Sequence, residues 1–301
     1  MGAPSVNHEA ESYQPSALSV VRERIAGDGV MLEVARVGAG RPVVLLHGFP
    51  ENWRSWRHQI PALVNAGRSV LAPNLRGYPE SDIPRERDAY HLRHLVADVA
   101  ALVRASGFPR ITLVGHDWGG VIAWAFARLH PELLDKLVIL NAPHPEIYLR
   151  KAKRPPQMFR SWYVLFFLLP GVSEFALSAG KFQAVRDMFR RYPARRETFS
   201  ELDIDQYIAQ LSRPGALTAA LNYYRANVRL GIGREWQSAT IDVDTLVIWG
   251  EQDPALDVGL LEGLDRIVPR VRVHRVPQAS HWVQNEEPDE VNRVLVEFVR
   301  S

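Results

Sequence analysis

Cysteine is absent from the 301 residues of the chain, and neither sign of charge dominates. Without cysteine the chain can form no disulfide framework, no thiolate zinc site and no cysteine nucleophile. The 36 Lys and Arg residues are balanced by 34 Asp and Glu residues, which leaves a net charge of +2. Such a balance gives no strong overall attraction to nucleic acid or to anionic lipid. We therefore expect small-molecule partners, and neither nucleic acid nor a membrane.

Long apolar runs are also lacking. The most apolar segment, Trp162–Leu169, is far shorter than the roughly 20 residues of a membrane-spanning helix. We interpret this segment as buried or pocket-lining. The first 16 residues contain neither a basic stretch nor an apolar stretch, so they do not resemble a secretory signal. These absences predict a cytoplasmic protein in which residues 1–16 form a flexible tail.

Short apolar runs rich in β-branched residues recur along the chain and predict strands, most of them buried on both faces. They occupy Pro42–Leu46, Ser69–Ala72, Ile111–Val114, Leu137–Leu140, Thr245–Trp249 and Val271–Val276. Segments of helical periodicity occupy Trp56–Ala66, Leu92–Ser106, Val121–His130 and Asp289–Val299. This alternation predicts βαβ units and a mostly parallel sheet. The segments Ser19–Ile25 and Val30–Val37, which flank a Gly-Asp-Gly turn, predict a β-hairpin at one edge.

The character of the chain changes at about Pro145. Strand patterns disappear, aromatic residues and arginines become dense, and prolines divide the stretch into short helical segments. Alternating strand and helix patterns resume after about residue 234. These changes predict a first core part over 17–144, a helical insertion over 145–234 and a second core part over 235–301, which together suit a chain of this length.

The predicted strand Ile111–Val114 runs into the turn GHDWG, which carries Asp117 at its centre, and a predicted helix follows. A strand, a glycine-rich turn and a helix are the setting of a G-x-S-x-G nucleophile elbow, in which the central side chain lies beside backbone N–H groups. Asp117 stands where such an elbow carries serine. Because Asp is also a favoured N-cap residue, this pattern alone leaves two interpretations, a helix cap and a nucleophile.

Two later segments favour the nucleophile. Enzymes with such an elbow place an acid after a late strand and a histidine base near the C-terminus. Asp253 follows the predicted strand Thr245–Trp249, and His281 follows Val271–Val276. The order of Asp117, Asp253 and His281 therefore predicts a catalytic triad.

The loop HGFP follows the predicted strand Pro42–Leu46 and supplies a further part of such a site. One N–H of the oxyanion hole comes from the residue after the nucleophile, and another from the loop after this strand. Trp118 and Phe49 occupy these two positions. Three histidines are interpreted as structural hydrogen-bonding residues: His47, His116 and His144.

The motifs HGFPE, GHDWGG, WGEQD and SHW occur in this order, and with them the sequence resembles the epoxide hydrolases of the α/β-hydrolase superfamily. The resemblance extends from about Val30 to the C-terminus. It implies an α/β-hydrolase fold, with a mostly parallel central sheet flanked by helices, and it identifies the helical insertion with that family's cap domain.

The resemblance also implies two tyrosines in the cap that hydrogen-bond the epoxide oxygen. Tyr163, in the stretch SWY, lies 46 residues after Asp117 and matches the first of them. Tyr224, in the stretch NYYR, matches the second. Its neighbour Tyr223 remains an alternative for this second position.

An aspartate suits this chemistry because an epoxide has no carbonyl group to which a serine alkoxide could add. A carboxylate can attack a ring carbon and form an alkyl ester while a tyrosine hydroxyl protonates the departing oxygen. Water activated by the histidine then hydrolyses the ester to a vicinal diol. The scheme needs neither a metal nor an organic cofactor.

The aromatic and apolar residues of the insertion indicate a lipophilic or aryl epoxide as the substrate, with water as the second reactant. The pocket is expected to be lined by Trp162, Phe166, Phe167 and Met188, and further candidates of the same kind are Phe159, Leu168 and Phe189.

Particular residues distinguish this function from other possible functions. A haloalkane dehalogenase would use the same Asp nucleophile, but such enzymes usually carry Asn after His-Gly to hold the halide, where this chain has Phe49. Fluoroacetate dehalogenases typically follow the nucleophile with Arg, where this chain has Trp118. A non-catalytic ligand-binding relative would not need the complete set of catalytic positions, and an esterase would need serine at the elbow.

One loop departs from the epoxide hydrolase pattern. The family often reads D-x-R-G-Y-G-x-S after the fourth strand, whereas this chain has Asn74 at the first position and Pro79 in place of the second glycine. Proline fixes φ and removes the freedom of glycine. We therefore expect a different loop path and an altered pocket wall.

Overall fold

The computed structural model describes residues 18–228 and 240–301, so the predicted tail at 1–16 and the predicted boundary at residue 234 lie outside it. One sheet has the strand order β1-β2-β4-β3-β5-β6-β7-β8. Its strands are β1 (Val21–Ala26), β2 (Met31–Val37), β3 (Arg41–Leu46), β4 (Arg68–Pro73), β5 (Ile111–His116), β6 (Leu134–Leu140), β7 (Thr245–Gly250) and β8 (Val271–Val276). β2 pairs antiparallel with β1 and β4, and the other pairs are parallel. The predicted edge hairpin and mostly parallel sheet are confirmed.

The helices of the described residues flank this sheet or lie between β6 and β7. They are α1 (Gln59–Asn65), α2 (Leu92–Ser106), α3 (Trp118–Leu129), α4 (Pro145–Lys151), α5 (Gln157–Arg160), α6 (Trp162–Phe167), α7 (Val172–Arg191), α8 (Glu201–Leu211), α9 (Ala216–Asn227), α10 (Val283–Glu286) and α11 (Pro288–Arg300). Short 3₁₀ helices occur at Trp53–Trp56, Arg87–Tyr90, Pro131–Leu133, Val258–Leu261 and Leu264–Arg266.

The two faces of the sheet follow from the alternation of side chains along each strand. In β3, Val43 and Leu45 belong to a core cluster shared with α1 and α11, whereas Val44 and Leu46 belong to a second cluster shared with α2, α3 and the inserted helices. Both faces of the central strands are therefore covered. This burial explains why these strands are near-continuous apolar runs in the sequence.

The α2 helix has the predicted bounds, because Gly107 in the left-handed conformation ends it. Other boundaries differ from the predicted ones for local reasons. The α3 helix begins at Trp118, three residues before the predicted start, since the turn winds directly into the helix. Within the predicted helix Trp56–Ala66 only Gln59–Asn65 is α-helical, because Trp56 ends a 3₁₀ helix that begins at Trp53. β8 is the exception among strands predicted to be mostly buried on both faces, and it is largely exposed because it forms the far edge of the sheet.

Residues 145–228 contain the inserted helices α4 to α9 and no strand. The α7 helix is interrupted at Ala179–Phe182, where Gly180, Lys181 and Phe182 all have positive φ. Further along α7, Phe189 stacks on Trp282 with ring centroids 5.1 Å apart. This stacked pair joins the insertion to the loop that carries His281.

The segment Trp162–Leu169 is largely buried or pocket-lining, as interpreted from the sequence. Val164 and Phe167 are buried, and Trp162, Leu165 and Phe166 line cavities. Leu165 and Trp162 are in addition 69% and 62% exposed. No single described helix is long and apolar enough to cross a membrane, and only the pair Gln157–Phe167 and Val172–Arg191, bent by 91°, meets the length and composition criteria together.

Candidate active site

Asp117 lies in the turn between β5 and α3, with φ of 51° and ψ of −120°. A positive φ is unusual for a residue other than glycine and occurs where the surrounding structure holds it. The following glycine is required by packing, because a Cβ at Gly119 would lie 2.1 Å from the backbone oxygen of Leu46. The close approach of α3 to β3 thus forces the chain to turn sharply and presents the Asp117 side chain at the carboxyl edge of the sheet.

The Asp117 carboxylate does not cap the helix whose N-cap position it occupies. Its Oδ1 instead accepts a hydrogen bond from the backbone N–H of Phe49 at 2.8 Å. Trp118 is the first residue of α3, and the first N–H groups of a helix have no intrahelical partner. A Cβ at Gly48 would lie 2.3 Å from the Asp117 Cβ, which explains the glycine of the HGFP loop.

His281 lies between two carboxylates. Its Nδ1 is 2.7 Å from Oδ2 of Asp253, and its Nε2 is 3.6 Å from Oδ2 of Asp117. Asp117 follows β5, Asp253 follows β7 and His281 lies in the loop after β8. These three strands belong to the same half of the strand order. The structure therefore brings together the three residues of the predicted triad.

Asp253 is completely buried and held by several donors. Its Oδ1 accepts from the backbone N–H groups of Ala255 and Leu256 at 2.8 and 2.9 Å. Its Oδ2 accepts from the side-chain amide of Asn141 at 2.8 Å. These bonds fix the carboxylate that orients the His281 ring.

Asn141 is a site residue that sequence reasoning missed. It follows β6 with φ of 36°, and its amide oxygen accepts from the N–H of Gly250 at 2.9 Å while its amide nitrogen reaches Asp253. The sequence feature that could have identified Asn141 is its position directly after β6. That strand lies between β5, which leads to Asp117, and β7, which leads to Asp253.

The charges of His281 and Asp117 stabilise each other. Burial alone lowers the pKa of His281, but the neighbouring carboxylates of Asp253 and Asp117 outweigh it and raise that pKa well above its usual value. Burial likewise raises the pKa of Asp117, but His281, His116 and the Phe49 N–H together bring it below its usual value. These directions favour an imidazolium facing an ionised carboxylate in the resting site.

The neighbouring histidines form hydrogen bonds beneath this pair. Burial lowers the pKa of His47 to about 4, and its neutral ring donates from Nδ1 to the Gly48 oxygen at 2.9 Å and accepts at Nε2 from the Leu75 N–H at 3.1 Å. The ring of His116 lies 3.1 Å from a Glu51 carboxylate oxygen and 2.9 Å from the backbone oxygen of His281. His144, the third histidine interpreted as structural, packs edge-on against the ring of Trp124.

The two matched tyrosines lie together above Asp117. The rings of Tyr163 and Tyr224 are 6.3 Å apart and nearly perpendicular. Burial, followed by nearby charges that include Asp117, raises the pKa of both hydroxyls well above the usual value, so both are protonated. The hydroxyl of Tyr223 instead donates to the backbone oxygen of Arg76 at 2.7 Å, and its ring is completely buried. Tyr224, and not Tyr223, faces the site.

Arg225 joins the helices that carry these tyrosines, and sequence reasoning did not assign it a role. From α9 its Nε donates to the Phe167 oxygen at the end of α6 at 2.9 Å. Its two terminal nitrogens bind the Glu174 carboxylate at 2.6 and 2.8 Å. A bidentate pair of this kind fixes orientation, so Arg225 sets the spacing between α6 and α9.

Two cavities meet at this site. One has a volume of about 410 Å³ and the other about 440 Å³, and Asp117, Tyr163 and Tyr224 line both. The larger cavity also contains His281 and the four residues expected to line a pocket, namely Trp162, Phe166, Phe167 and Met188. Phe189 lies in the interface with Trp282, and Phe159 is exposed on the surface.

The loop around Pro79 does not form a pocket wall. Neither cavity lined by Asp117 includes any described residue of 74–81. The oxygen of Pro79 accepts from the side chain of Asn74 at 3.0 Å, and Tyr78 packs edge-on against His47. The expectation of an altered wall is therefore wrong, because this loop lies beneath the site.

Within residues 18–228 and 240–301, no group of three or more His, Asp or Glu side chains has a geometry that could hold a metal ion. The carboxylates and histidines of the site are instead bonded to one another and to backbone groups.

Comparison with known proteins agrees with this geometry. The family model described as alpha/beta hydrolase fold matches residues 41–288. The chain is 35% identical to epoxide hydrolase 4 of Mus musculus over 99% of this chain and 84% of the relative. It is 36% identical to the AB hydrolase superfamily protein YfhM of Bacillus subtilis over 91% of this chain and 96% of that one.

A solved structure gives the same result in three dimensions. The epoxide hydrolase of Bacillus megaterium, solved in complex with an inhibitor, superposes with a TM-score of 0.84 at 30% identity, over 93% of this chain and 100% of that one. The predicted fold class is confirmed by the family model and by this superposition. Family match, relatives and structure together place the chain among the epoxide hydrolases of the α/β-hydrolase fold.

Proposed function

We propose that the protein hydrolyses epoxides to vicinal diols through an alkyl ester on Asp117. One observation carries this proposal: the Asp117 carboxylate and the hydroxyl-bearing residues Tyr163 and Tyr224 meet where two apolar cavities join. A carboxylate nucleophile opposite two protonated phenols suits a strained ether. A haloalkane, whose halide leaves without a proton, has no need of the two phenols.

In the first step the ionised Asp117 attacks a ring carbon of the epoxide, and the carbon–oxygen bond of the ring breaks. The departing oxygen takes a proton from Tyr163 or Tyr224, whose pKa values are held well above the usual value. The products of this step are a β-hydroxyalkyl ester on Asp117 and a tyrosinate that recovers its proton from solvent.

In the second step water attacks the ester carbonyl carbon of Asp117. Once the Asp117 charge is gone the pKa of His281 falls and its ring releases a proton to solvent. The neutral ring, oriented by Asp253, accepts a proton from the attacking water, and the N–H groups of Phe49 and Trp118 stabilise the oxyanion. The bond between the ester carbonyl and the alkoxy oxygen breaks, and His281 returns the proton to the alkoxy oxygen. The diol leaves, and the Asp117 carboxylic acid passes its proton to His281, which restores the carboxylate and the resting ion pair.

The ion pair of the resting site predicts how the second step depends on pH. Alkylation removes the Asp117 charge, which is one of the causes of the raised pKa of His281. The pKa of His281 should therefore be lower in the ester than in the free enzyme, and ester hydrolysis should accelerate with pH through that lower value and then level off. Rapid-quench mass spectrometry of the ester across pH would give this profile, and NMR titration would give the pKa of the free enzyme. A hydrolysis rate independent of pH between about 5 and 9 would contradict the role of His281 as base.

The adjacent tyrosines give a matched pair of variants. We expect Tyr224→Phe to lower the rate of ester formation by about 10²-fold, because it removes a proton donor to the departing oxygen. Tyr223→Phe should leave that rate within about threefold and cost about 1 kcal/mol of stability, because it removes only the bond to the Arg76 oxygen. Stopped-flow tryptophan fluorescence and urea unfolding measure the two quantities. Equal losses of rate in the two variants would contradict the assignment.

The lining of the cavities favours lipophilic substrates. The larger cavity presents Trp162, Phe166, Phe167 and Met188 beside the reacting carboxylate, and the smaller presents apolar side chains such as Val121 and Leu149. Pockets of this kind bind ligands mainly by burying apolar surface. Aryl epoxides such as styrene oxide are therefore suitable first substrates.

Single-turnover hydrolysis of styrene oxide in ¹⁸O-labelled water, with enzyme in excess, tests the proposal. We expect little label in the diol and incorporation of label into the peptide that contains Asp117. Label in the diol with none in that peptide would mean that water attacks the ring directly. If no diol forms and halide is released from a haloalkane, the dehalogenase is the correct alternative. If neither substrate reacts but ligands bind, the protein is a binding relative.

A further inference from the structure

Six large apolar side chains within residues 159–175 of the insertion are exposed. We call this group the cap apolar surface, and it consists of Phe159, Trp162, Leu165, Leu169, Val172 and Phe175. Phe175 is 77% exposed and Phe159 is 68% exposed. Single exposed apolar residues are ordinary, but a group of large ones along one stretch of chain marks an interaction site.

A cluster of positive charge precedes this surface in the chain. Residues 150–160, RKAKRPPQMFR, contain five cations and no acidic residue. Lys151 is paired with Glu262, and Arg160 lies 3.5 Å from Asp257. Lys153 and Arg154 are exposed and form no ion pair within the described part of the chain. This basic stretch runs directly into the apolar one.

Residues of both stretches line the cavities of the active site. Lys153 lines the smaller cavity together with the exposed Met158 and Leu165. Arg160 lines the larger cavity together with the exposed Trp162. Each cavity is thus lined by a cation and an exposed apolar side chain, which places the basic stretch and the cap apolar surface side by side in space.

We propose that this face docks onto an anionic lipid surface. Phe159, Trp162 and Phe175 enter the boundary between headgroups and acyl chains, and the cations of residues 150–160 contact the anionic headgroups. A helical segment with basic and aromatic residues lies in the plane of such an interface without crossing it. The cavity-lining residues of this face, among them Lys153 and Trp162, then lie against the lipid.

Charge complementarity selects lipid over a second copy of the chain. A two-fold symmetric contact through this face would bring the basic stretches of both copies into one interface, where their like charges disfavour association. An anionic bilayer supplies the opposite charge over the whole face. The expectation of no membrane partner rested on the net charge of +2, which does not reveal how charge is distributed over the surface.

Vesicle sedimentation tests the docking with the whole protein. Wild type should sediment with vesicles of phosphatidylcholine containing about one third phosphatidylglycerol, more weakly with pure phosphatidylcholine, and less at high salt. Phe159→Ser combined with Phe175→Ser should lower the partition coefficient about tenfold or more, and Arg154→Gln about fivefold. None of these residues lines either cavity, so hydrolysis of soluble styrene oxide should be unchanged.

Matched controls place equivalent changes elsewhere on the surface. Phe108→Ser with Leu129→Ser removes two exposed apolar side chains, and Arg85→Gln removes one exposed cation. Both controls should sediment as wild type does. The proposal is overturned if wild type and the Phe159/Phe175 variant sediment equally. It is also overturned if wild type forms dimers that this variant loses, since a second copy would then be the occupant. Vesicle binding is measured without substrate, so failure of the epoxide reaction leaves this test intact.

Discussion

An Asp117→Asn variant should retain the fold and lose epoxide hydrolysis by a factor of at least about 10⁴. The amide is a far weaker nucleophile than the carboxylate, so the ring carbon is no longer attacked. The backbone tolerates the change, because Asn is among the residues that most readily adopt positive φ. The amide oxygen can still accept the Phe49 N–H that reaches Oδ1 of Asp117.

The Asp117→Asn variant is measured by single-turnover hydrolysis with freshly purified protein. Intact mass must show that the substituted amide is still present, because water activated by His281 could hydrolyse it back to the carboxylate. Asp265→Asn makes the same substitution at an exposed residue outside both cavities and should behave as wild type. Hydrolysis within about tenfold of wild type in verified Asp117→Asn protein would remove Asp117 from the mechanism.

The second large effect is expected for His281→Gln, which should form the ester and then stop. Attack on the ring needs the Asp117 carboxylate and the cap tyrosines, whereas ester hydrolysis needs a base. We expect one equivalent of substrate to be consumed rapidly, followed by turnover at least about 10³-fold slower than wild type. The intact protein should gain the mass of one substrate molecule, and peptide mapping should locate it on Asp117.

Two further variants test whether this result is specific to His281 and Asp117. His274→Gln changes a partly exposed histidine that is paired with Glu290, and it should turn over without accumulating an adduct. The Asp117→Asn, His281→Gln double variant should form no adduct at all. Continued diol formation by His281→Gln, with no adduct on Asp117, would show that ester hydrolysis by His281 is not part of the reaction.

Most strands could be predicted because their physical cause is local in the sequence. A strand covered on both faces must be apolar throughout, and β3, β5 and β6 have this property over most of their length. Which strand would be the exposed exception could not be predicted, because the position of β8 at the sheet edge depends on the order of strands. The order of the strands is a property of the whole fold, and the six residues of β8 do not specify it.

The triad and the Phe49 donor could be predicted because each follows a recognisable strand or turn. Asn141 and Arg225 could not, since their importance lies in distant partners. Asn141 acts through Asp253, 112 residues later, and Arg225 acts through Glu174 and the oxygen of Phe167. Hydrogen bonds between remote segments leave no periodic pattern in the chain.

By itself the sequence determined most of the strands, the turn that carries Asp117 and the chain order of Asp117, Asp253 and His281. Apolar periodicity and glycine placement act over a few neighbouring residues, so these features can be recognised locally. Only the tertiary structure decided which tyrosine faces Asp117 and which parts of Trp162–Leu169 are exposed. Tyr223 and Tyr224 are adjacent on one helix, and the rotation of about 100° between neighbours sends one hydroxyl to Arg76 and the other to the cavity. Exposure of an apolar helix likewise depends on what packs against it, and only the assembled fold specifies that.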